Sequence, residues 1–277
     1  MIDVHNLSVR LGSRTILHDV SFSAAPGAIT AVIGPNGSGK STLMKALCRD
    51  YEYDGSVRIN GQDLARLSPA DAASVRAVLP QSSNLPFPFM VREVVALGLT
   101  AGRSGVALSM LRQLPDMALA AVDLAGFGGR FYGELSGGEQ QRVQLARVLC
   151  QVWLPVLDGA PRYLFLDEPV SSLDIKHQLM IMDVARRYAD AGGGVIAILH
   201  DLNLAAMYAD SILALRDGRV AGIGTPEDVL TDALIADVFD CPLRVGAVPS
   251  AGMPFVLPQS VQGGPVAGAR PMLVRKG

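Results

Sequence analysis

Gly34-Pro35-Asn36-Gly37-Ser38-Gly39-Lys40-Ser41-Thr42 follows the pattern G-x-x-x-x-G-K-[ST]. Upstream lies Ile29–Ile33, an apolar run of strand length, and downstream Lys40–Leu47 has helical periodicity. Strand, glycine-rich turn and helix start together form the context in which this pattern cradles phosphate. The glycines let backbone N–H groups converge on phosphate oxygens with no Cβ in the way, and the helix N-terminus adds a positive end. Lys40 then supplies a point charge to the β and γ phosphates, and Ser41 offers a hydroxyl to Mg²⁺. Gly34 through Thr42 are therefore expected to bind a nucleoside triphosphate.

Working outward, three more apolar runs end in polar residues. Ala77–Leu79 leads into Pro80-Gln81, Tyr163–Leu166 into Asp167-Glu168, and Val195–Leu199 into His200-Asp201. Runs that are apolar on both faces and precede helical patterns read as buried parallel strands. Ligands bind at the carboxyl edge of such sheets, so the four strand ends predict one shared site. There Asp167 can hold Mg²⁺ beside Ser41, and Glu168 can orient or deprotonate an attacking water. The alternative for Glu168 is an acid at a helix start. His200 is expected to hydrogen-bond the γ-phosphate or the water, whereas His5, His18 and His177 read as structural.

Ile2–Arg10, Ala24–Ala28 and Ser56–Ile59 look like antiparallel strands. Helix starts are marked by Ser68-Pro69, by Ser136-Gly137-Gly138-Glu139 ahead of Gln140–Val152, and by Thr225-Pro226-Glu227-Asp228. The stretch from about Ser82 to Gln151 is largely helical and interrupts the strand series. The fold class is α/β, a core with an antiparallel β-subdomain and an inserted helical subdomain. Beyond Val245 the chain is rich in Gly and Pro and weakly periodic.

Lys and Arg number 24 against 26 Asp and Glu in 277 residues, a net charge of -2, which gives no electrostatic case for nucleic acid. The mean hydropathy of +0.31 raises the question of a membrane span, yet no uncharged apolar run reaches about 18 residues. No basic-then-apolar leader is visible at Met-Ile-Asp-Val-His, so a cytosolic start is expected. Cys48, Cys150 and Cys241 are odd in number and lack a CxxC pair, which argues against a disulfide framework or zinc site and for small buried hydrophobes.

Leu135-Ser136-Gly137-Gly138-Glu139-Gln140 supplies a serine cap, two glycines and a helix start. It is either a second anion site or an ordinary capping box. Taken in order, the motifs resemble those of ABC ATPases. Gly34–Thr42 is similar to their phosphate loop, Gln81 to the Q-loop glutamine and Leu135–Gln140 to the signature motif. Tyr163–Glu168 resembles the Walker B strand, Ser171-Ser172-Leu173-Asp174 the D-loop, and His200 the switch histidine. The similarity covers roughly residues 1–240.

This resemblance implies a P-loop NTPase core of the ABC type over 1–81 and 161–245, a helical subdomain at about 82–160, and a tail over 246–277. It implies ATP and Mg²⁺ as cofactors, with Ser41, Gln81 and Asp167 around the metal and Glu168, His200 and Gln81 as catalytic residues. It also implies a head-to-tail dimer, in which Ser136, Gly137, Gly138 and Glu139 of a second copy close over the ATP. The residues allow this independently: two anion-binding helix starts but only one complete phosphate loop make two half-sites per chain. Further implied partners are two membrane permease subunits and, indirectly, a periplasmic substrate-binding protein, at the cytoplasmic face of the inner membrane. The family often places an adenine-stacking aromatic near the first strand. Here Leu11 stands at that position, leaving an apolar contact or help from Arg10 or Arg14.

Leu79-Pro80-Gln81 with Val91-Arg92-Glu93-Val94-Val95-Ala96-Leu97-Gly98 resembles the ATPases of importers for iron chelates, haem and cobalamin. Phe87-Pro88-Phe89 and the segment Trp153–Arg162 are most similar to the haemin importers. Leu85, Phe87, Phe89 and Met90 either form an apolar docking surface for a permease or pack the helical subdomain. An iron–sulfur assembly ATPase and an exporter ATPase are the rival readings. Two-cassette translation factors and coiled-coil chromosome proteins are disfavoured by the single phosphate loop and the absence of long coiled coils. A P-loop kinase would lack Leu135–Gln140. From the two half-sites, Ser136→Arg is expected to abolish ATP turnover while the isolated chain still binds ATP; equal loss of both in a titration and a phosphate-release assay would contradict this.

Overall fold

The computed structural model describes residues 1–81, 87–101, 103–171, 173–249, 252 and 254–261. The chain opens with β1 (Ile2–Leu11) and β2 (Arg14–Ala24), which pair antiparallel. Their register shifts after Val4, next to Asn6 at φ 49°, and this bulge returns Leu7 and Val9 to the buried face already occupied by Ile2 and Val4. The expected strand Ala24–Ala28 is instead the end of β2 followed by a turn. Pro26 lacks an N–H for a ladder, and Gly27 sits at φ 76°.

β3 (Ile29–Ile33) runs into α1 (Lys40–Cys48), followed by β4 (Asp54–Ile59), β5 (Gln62–Asp63), α2 (Pro69–Val75, capped by Ser68) and β6 (Arg76–Leu79). A helical run then intervenes: α3 (Val91–Ala96), α4 (Gly98–Ala101), α5 (Leu108–Leu111), α6 (Leu114–Ala121) and α7 (Gly137–Gln151). Trp153–Arg162 contains a small hairpin, β7 (Val156–Leu157) and β8 (Ala160–Pro161). The remaining elements are β9 (Tyr163–Asp167), α8 (Ile175–Asp190), β10 (Gly194–Ile198), α9 (Leu202–Tyr208), β11 (Ser211–Arg216), β12 (Arg219–Gly224), α10 (Pro226–Val229) and α11 (Asp232–Phe239).

The central sheet has the order β12-β11-β3-β10-β9-β6, parallel except for β12. A four-stranded sheet, β2-β1-β4-β5, covers one of its faces. Val32, Phe165, Ile198 and Leu213 meet α1 and the inner side of that second sheet, while Ala31, Leu166, Ala197 and Ala214 face the helices. Burial on both faces explains why these strands read as continuous apolar runs. β11 and β12 were not foreseen, although Asp217-Gly218 at φ 47° and 74° is a hairpin signal, as is Asp158-Gly159 in the β7–β8 turn. Cys150 is buried as expected, whereas Cys48 and Cys241 are only half-buried. No helix among the described residues is long and apolar enough to cross a membrane. In the tail, the turn Pro258–Ser260 lies against α9, with Gln259 Nε2 donating to Asn203 Oδ1 at 3.1 Å.

Arg162 ties the hairpin to the helical run. Its guanidinium is buried and donates to the carbonyls of Leu154 (2.6 Å), Ser104 (2.9 Å) and Arg103. Burial pulls its pKa down to about 10, which still leaves it charged at neutral pH. Arg162→Met would leave these acceptors without donors in a dry site, a loss of about 2–4 kcal/mol in a urea titration; a change below about 0.5 kcal/mol would contradict that role.

Candidate active site

The glycine-rich turn is shaped by steric necessity. Gly34, Gly37 and Gly39 have φ of 148°, 81° and 103°. A Cβ at Gly34 would overlap the Leu215 carbonyl oxygen, and one at Gly39 would lie 2.6 Å from Leu17 Cδ2. Gly37 meets nothing within 4 Å, so only its φ calls for glycine. α1 starts at Lys40 with no side-chain cap on its first N–H groups, which leaves them to an anion. Lys40 Nζ braces the turn by donating to the carbonyls of Gly34 and Pro35, each at 2.8 Å. Burial lowers its pKa, and Glu168 and Asp167 oppose that shift.

Glu168 follows β9 at φ 52°, a left-handed conformation that costs a residue with a Cβ about 1 kcal/mol. Both carboxylate oxygens are engaged: Oε2 accepts from Gln81 Nε2 at 2.8 Å, and Oε1 lies 2.8 Å from His200 Nε2. Its carbonyl accepts from Gln141 Nε2 and Ser171 Oγ. Gln81, Glu168 and His200, distant in sequence, thus meet at the sheet edge. Asp167 is buried, and its Oδ1 has no hydrogen-bond partner among the described residues. Desolvation raises its pKa, as does the neighbouring Glu168. An unpartnered buried carboxylate oxygen close to the hydroxyl-bearing start of α1 fits an oxygen-ligated divalent cation, with Ser41 and Gln81 as further donors.

A cavity of about 640 Å³ is lined by Asn36, Gly37, Gly39, Lys40, Ser41, Thr42 and Glu168; Asp167, Gln81 and His200 stand behind Glu168 and do not line it. β2 also lines it, through Arg14, Thr15, Ile16 and His18, together with Asp217. His18, read from sequence as structural, is thus a cavity residue. Arg14 also lines the cavity, whereas Leu11 and Arg10 are exposed and do not. Alternation along β2 could have given the signal, since Leu17 is buried between the two cavity-facing neighbours Ile16 and His18. Gly218 holds this wall in place: its N–H donates to the Ser38 carbonyl (3.0 Å), and its carbonyl accepts from the His18 N–H (2.8 Å).

Ser136, Gly137, Gly138 and Glu139 lie outside this cavity. They form a complete capping box at the head of α7: Ser136 Oγ accepts from the Glu139 N–H (3.3 Å), and Glu139 Oε2 accepts from the Ser136 N–H (2.8 Å). Those bonds hold the Glu139 pKa below the usual carboxylate range. Leu173 packs beneath Gly138, and Asp174 caps α8 through the His177 N–H (2.9 Å). Ser172 lies outside the described residues, as do Ser82–Pro86, including Leu85. Phe87 and Met90 are exposed, while Phe89 packs against the core.

Comparison with known proteins places this geometry. A family model described as "ABC transporter" matches residues 17–171. A hemin import ATP-binding protein, HmuV, of Mesorhizobium japonicum is 62% identical over 94% of this chain and 99% of its own length. Its counterpart from Chelativorans sp. is 59% identical over the same shares. Among solved structures, an ATP-binding subunit of an ABC transporter superposes with a TM-score of 0.72 at 27% identity, covering 89% of this chain and 95% of that one. A dimeric ATP-binding cassette in a post-hydrolysis state with ADP and Pi gives 0.69 at 26% identity, covering 82% and 99%.

A Cβ on Gly218 would overlap the Ile16 carbonyl oxygen, whereas Gly27, at a similar φ of 76° against 74°, has open space around it. Gly27→Ala should cost about 1 kcal/mol from backbone strain alone and leave ATP affinity unchanged. Gly218→Ala should cost at least about twice that and weaken ATP binding roughly tenfold by displacing the wall and the turn together. Equal behaviour of the two variants in thermal melts and ATP titrations would contradict the clamp.

Proposed function

The chain belongs to the ABC transporter family, and on that premise we propose that it is the ATP-hydrolysing subunit of an importer for haemin or a related iron compound, working as a dimer docked to a separate membrane permease. The observation that carries the hydrolytic half of this reading is the meeting of Gln81, Glu168 and His200 beside Lys40. The cargo is supported by the names of the curated relatives at 62% and 59% identity.

In the proposed mechanism, backbone N–H groups of Gly34–Thr42 hold the phosphates, and Lys40 turns its charge from the Gly34 and Pro35 carbonyls to the β and γ oxygens. Glu168 orients the attacking water and accepts its proton, and His200 holds the carboxylate in place and faces the γ-phosphate. Ser41, Asp167 and Gln81 would hold Mg²⁺, which would supply charge neutralisation for the phosphates. Ser136, Gly137, Gly138 and Glu139 belong to the ATP site of the other copy, and their position outside this chain's cavity supports that assignment.

The same reading divides the chain into a core (1–81 and 161–245), a helical arm (about 82–160) and a tail (246–277). Phe87 and Met90, exposed on that arm, are assigned to permease docking at the cytoplasmic face of the inner membrane. A periplasmic binding protein would deliver the cargo to the permease.

Two measurements test this. Glu168→Gln should lower the ATP turnover number by about 10²–10⁴-fold with ATP affinity nearly unchanged; normal turnover would refute the water-activating role. Reconstituted in vesicles with its permease, the chain should show ATPase stimulated by haemin together with haemin uptake, and stimulation by another cargo alone would refute the haemin assignment.

A further inference from the structure

The direction in which the Glu168 side chain leaves the main chain is set by its backbone angles, and those are unfavourable ones. Its φ is 52°, in the left-handed region that a residue with a Cβ avoids. Strand pairing does not hold it there. Asp167, opposite Ile198, is the last residue of β9, and Pro169, which follows Glu168, has no N–H with which to anchor the turn.

Side chains hold it instead. The Glu168 carbonyl accepts from Gln141 Nε2 at 3.2 Å and from Ser171, through Oγ at 3.0 Å and the N–H at 3.3 Å. The Pro169 carbonyl accepts from the same Gln141 Nε2 at 2.9 Å. The two hydrogens of one amide thus span both carbonyls of the turn. Ser171 belongs to that turn, whereas Gln141 is a half-buried residue of α7, in the helical run. Its neighbour Gln140 turns its amide elsewhere, to the carbonyls of Tyr132 and Leu135. The clamp is therefore particular to one position on the helix.

We propose that Gln141 is a positioning residue for hydrolysis. By holding the Glu168 and Pro169 carbonyls it keeps the Glu168 carboxylate where it meets the attacking water, and it touches neither nucleotide nor water itself. The proposal rests on the water-activating reading of Glu168 above. Without the clamp the turn relaxes, and a shift well under 1 Å at the reacting group is enough to cost about tenfold in rate. The phosphates keep their grip, because neither Gln141 bond goes to the glycine-rich turn.

The test is a double-mutant cycle on the full chain, with phosphate release and ATP affinity measured for each member. Gln141→Leu, similar in size but with no donor, should lower kcat by about five- to fiftyfold and leave the Kd for ATP within about threefold. In the Glu168→Gln background, where no carboxylate remains to be positioned, the same substitution should change the residual turnover by less than about twofold. Should Gln141→Leu fail to fold, Gln141→Met gives the same comparison. A loss of kcat below about threefold in the unsubstituted background overturns the proposal. So does an equal loss in both backgrounds, which would mean that Gln141 acts other than through Glu168, and so does a parallel loss of ATP affinity, the mark of a merely structural role. Normal turnover by Glu168→Gln alone would sink the water-activating reading itself, whatever Gln141→Leu does.

Discussion

The register of three adjacent parallel strands is the constraint from which the site follows. Val32 of β3, Ile198 of β10 and Asp167 of β9 lie side by side. One or two residues further on, each chain leaves the sheet carrying its polar group: Gly34 opens the phosphate turn, Glu168 follows Asp167, and His200 follows Leu199. β6 joins the same edge, with Leu79 opposite Leu166 and Gln81 just past it. A slip of one residue in any strand would turn its apolar side chains to the wrong face and displace its polar end by about 3.3 Å. Burial of both sheet faces therefore does double duty, stabilising the core and fixing where the chemistry stands.

At that edge the protein holds charges in a partly desolvated place. Burial disfavours the charged forms of both Lys40 and Asp167; their mutual attraction opposes this, while Glu168 helps Lys40 but adds to the shift of Asp167, which Lys45 and His200 also oppose. Lys40 is satisfied by carbonyls, Asp167 Oδ1 and Ser38 Oγ by nothing, and Glu168 sits in a strained backbone conformation. Such an arrangement is preorganised for an anion and a cation arriving together, because each relieves a cost already present in the fold.

Much of this was legible in residue order, for identifiable reasons. Ile29–Ile33 and Tyr163–Leu166 are too apolar to be anything but buried strands, and Ser68, Ser136 and Thr225 announce their helices through side-chain caps that the structure forms. What escaped was of two kinds. The Asp217-Gly218 and Asp158-Gly159 hairpins carry only a two-residue local signal, and Pro26-Gly27 ends a strand that alternation alone would prolong. The second kind has no local signal at all. Nothing adjacent to His18 in sequence says that Gly218, two hundred residues away, clamps it beside the phosphate turn, or that Arg162 closes a hairpin onto residues 103 and 104.

The remaining element is the capping box at the head of α7, which lies outside the cavity of its own chain. On the proposed reading, the lysine-bearing turn supplies one half of the ATP site and a two-fold partner would supply the other. A crystal structure of Glu168→Gln grown with Mg²⁺ and ATP measures this directly. Each triphosphate should touch Lys40 of one copy and Ser136 of the other. ATP enclosed by the residues of a single copy, with Ser136 remote from any phosphate, would contradict the account.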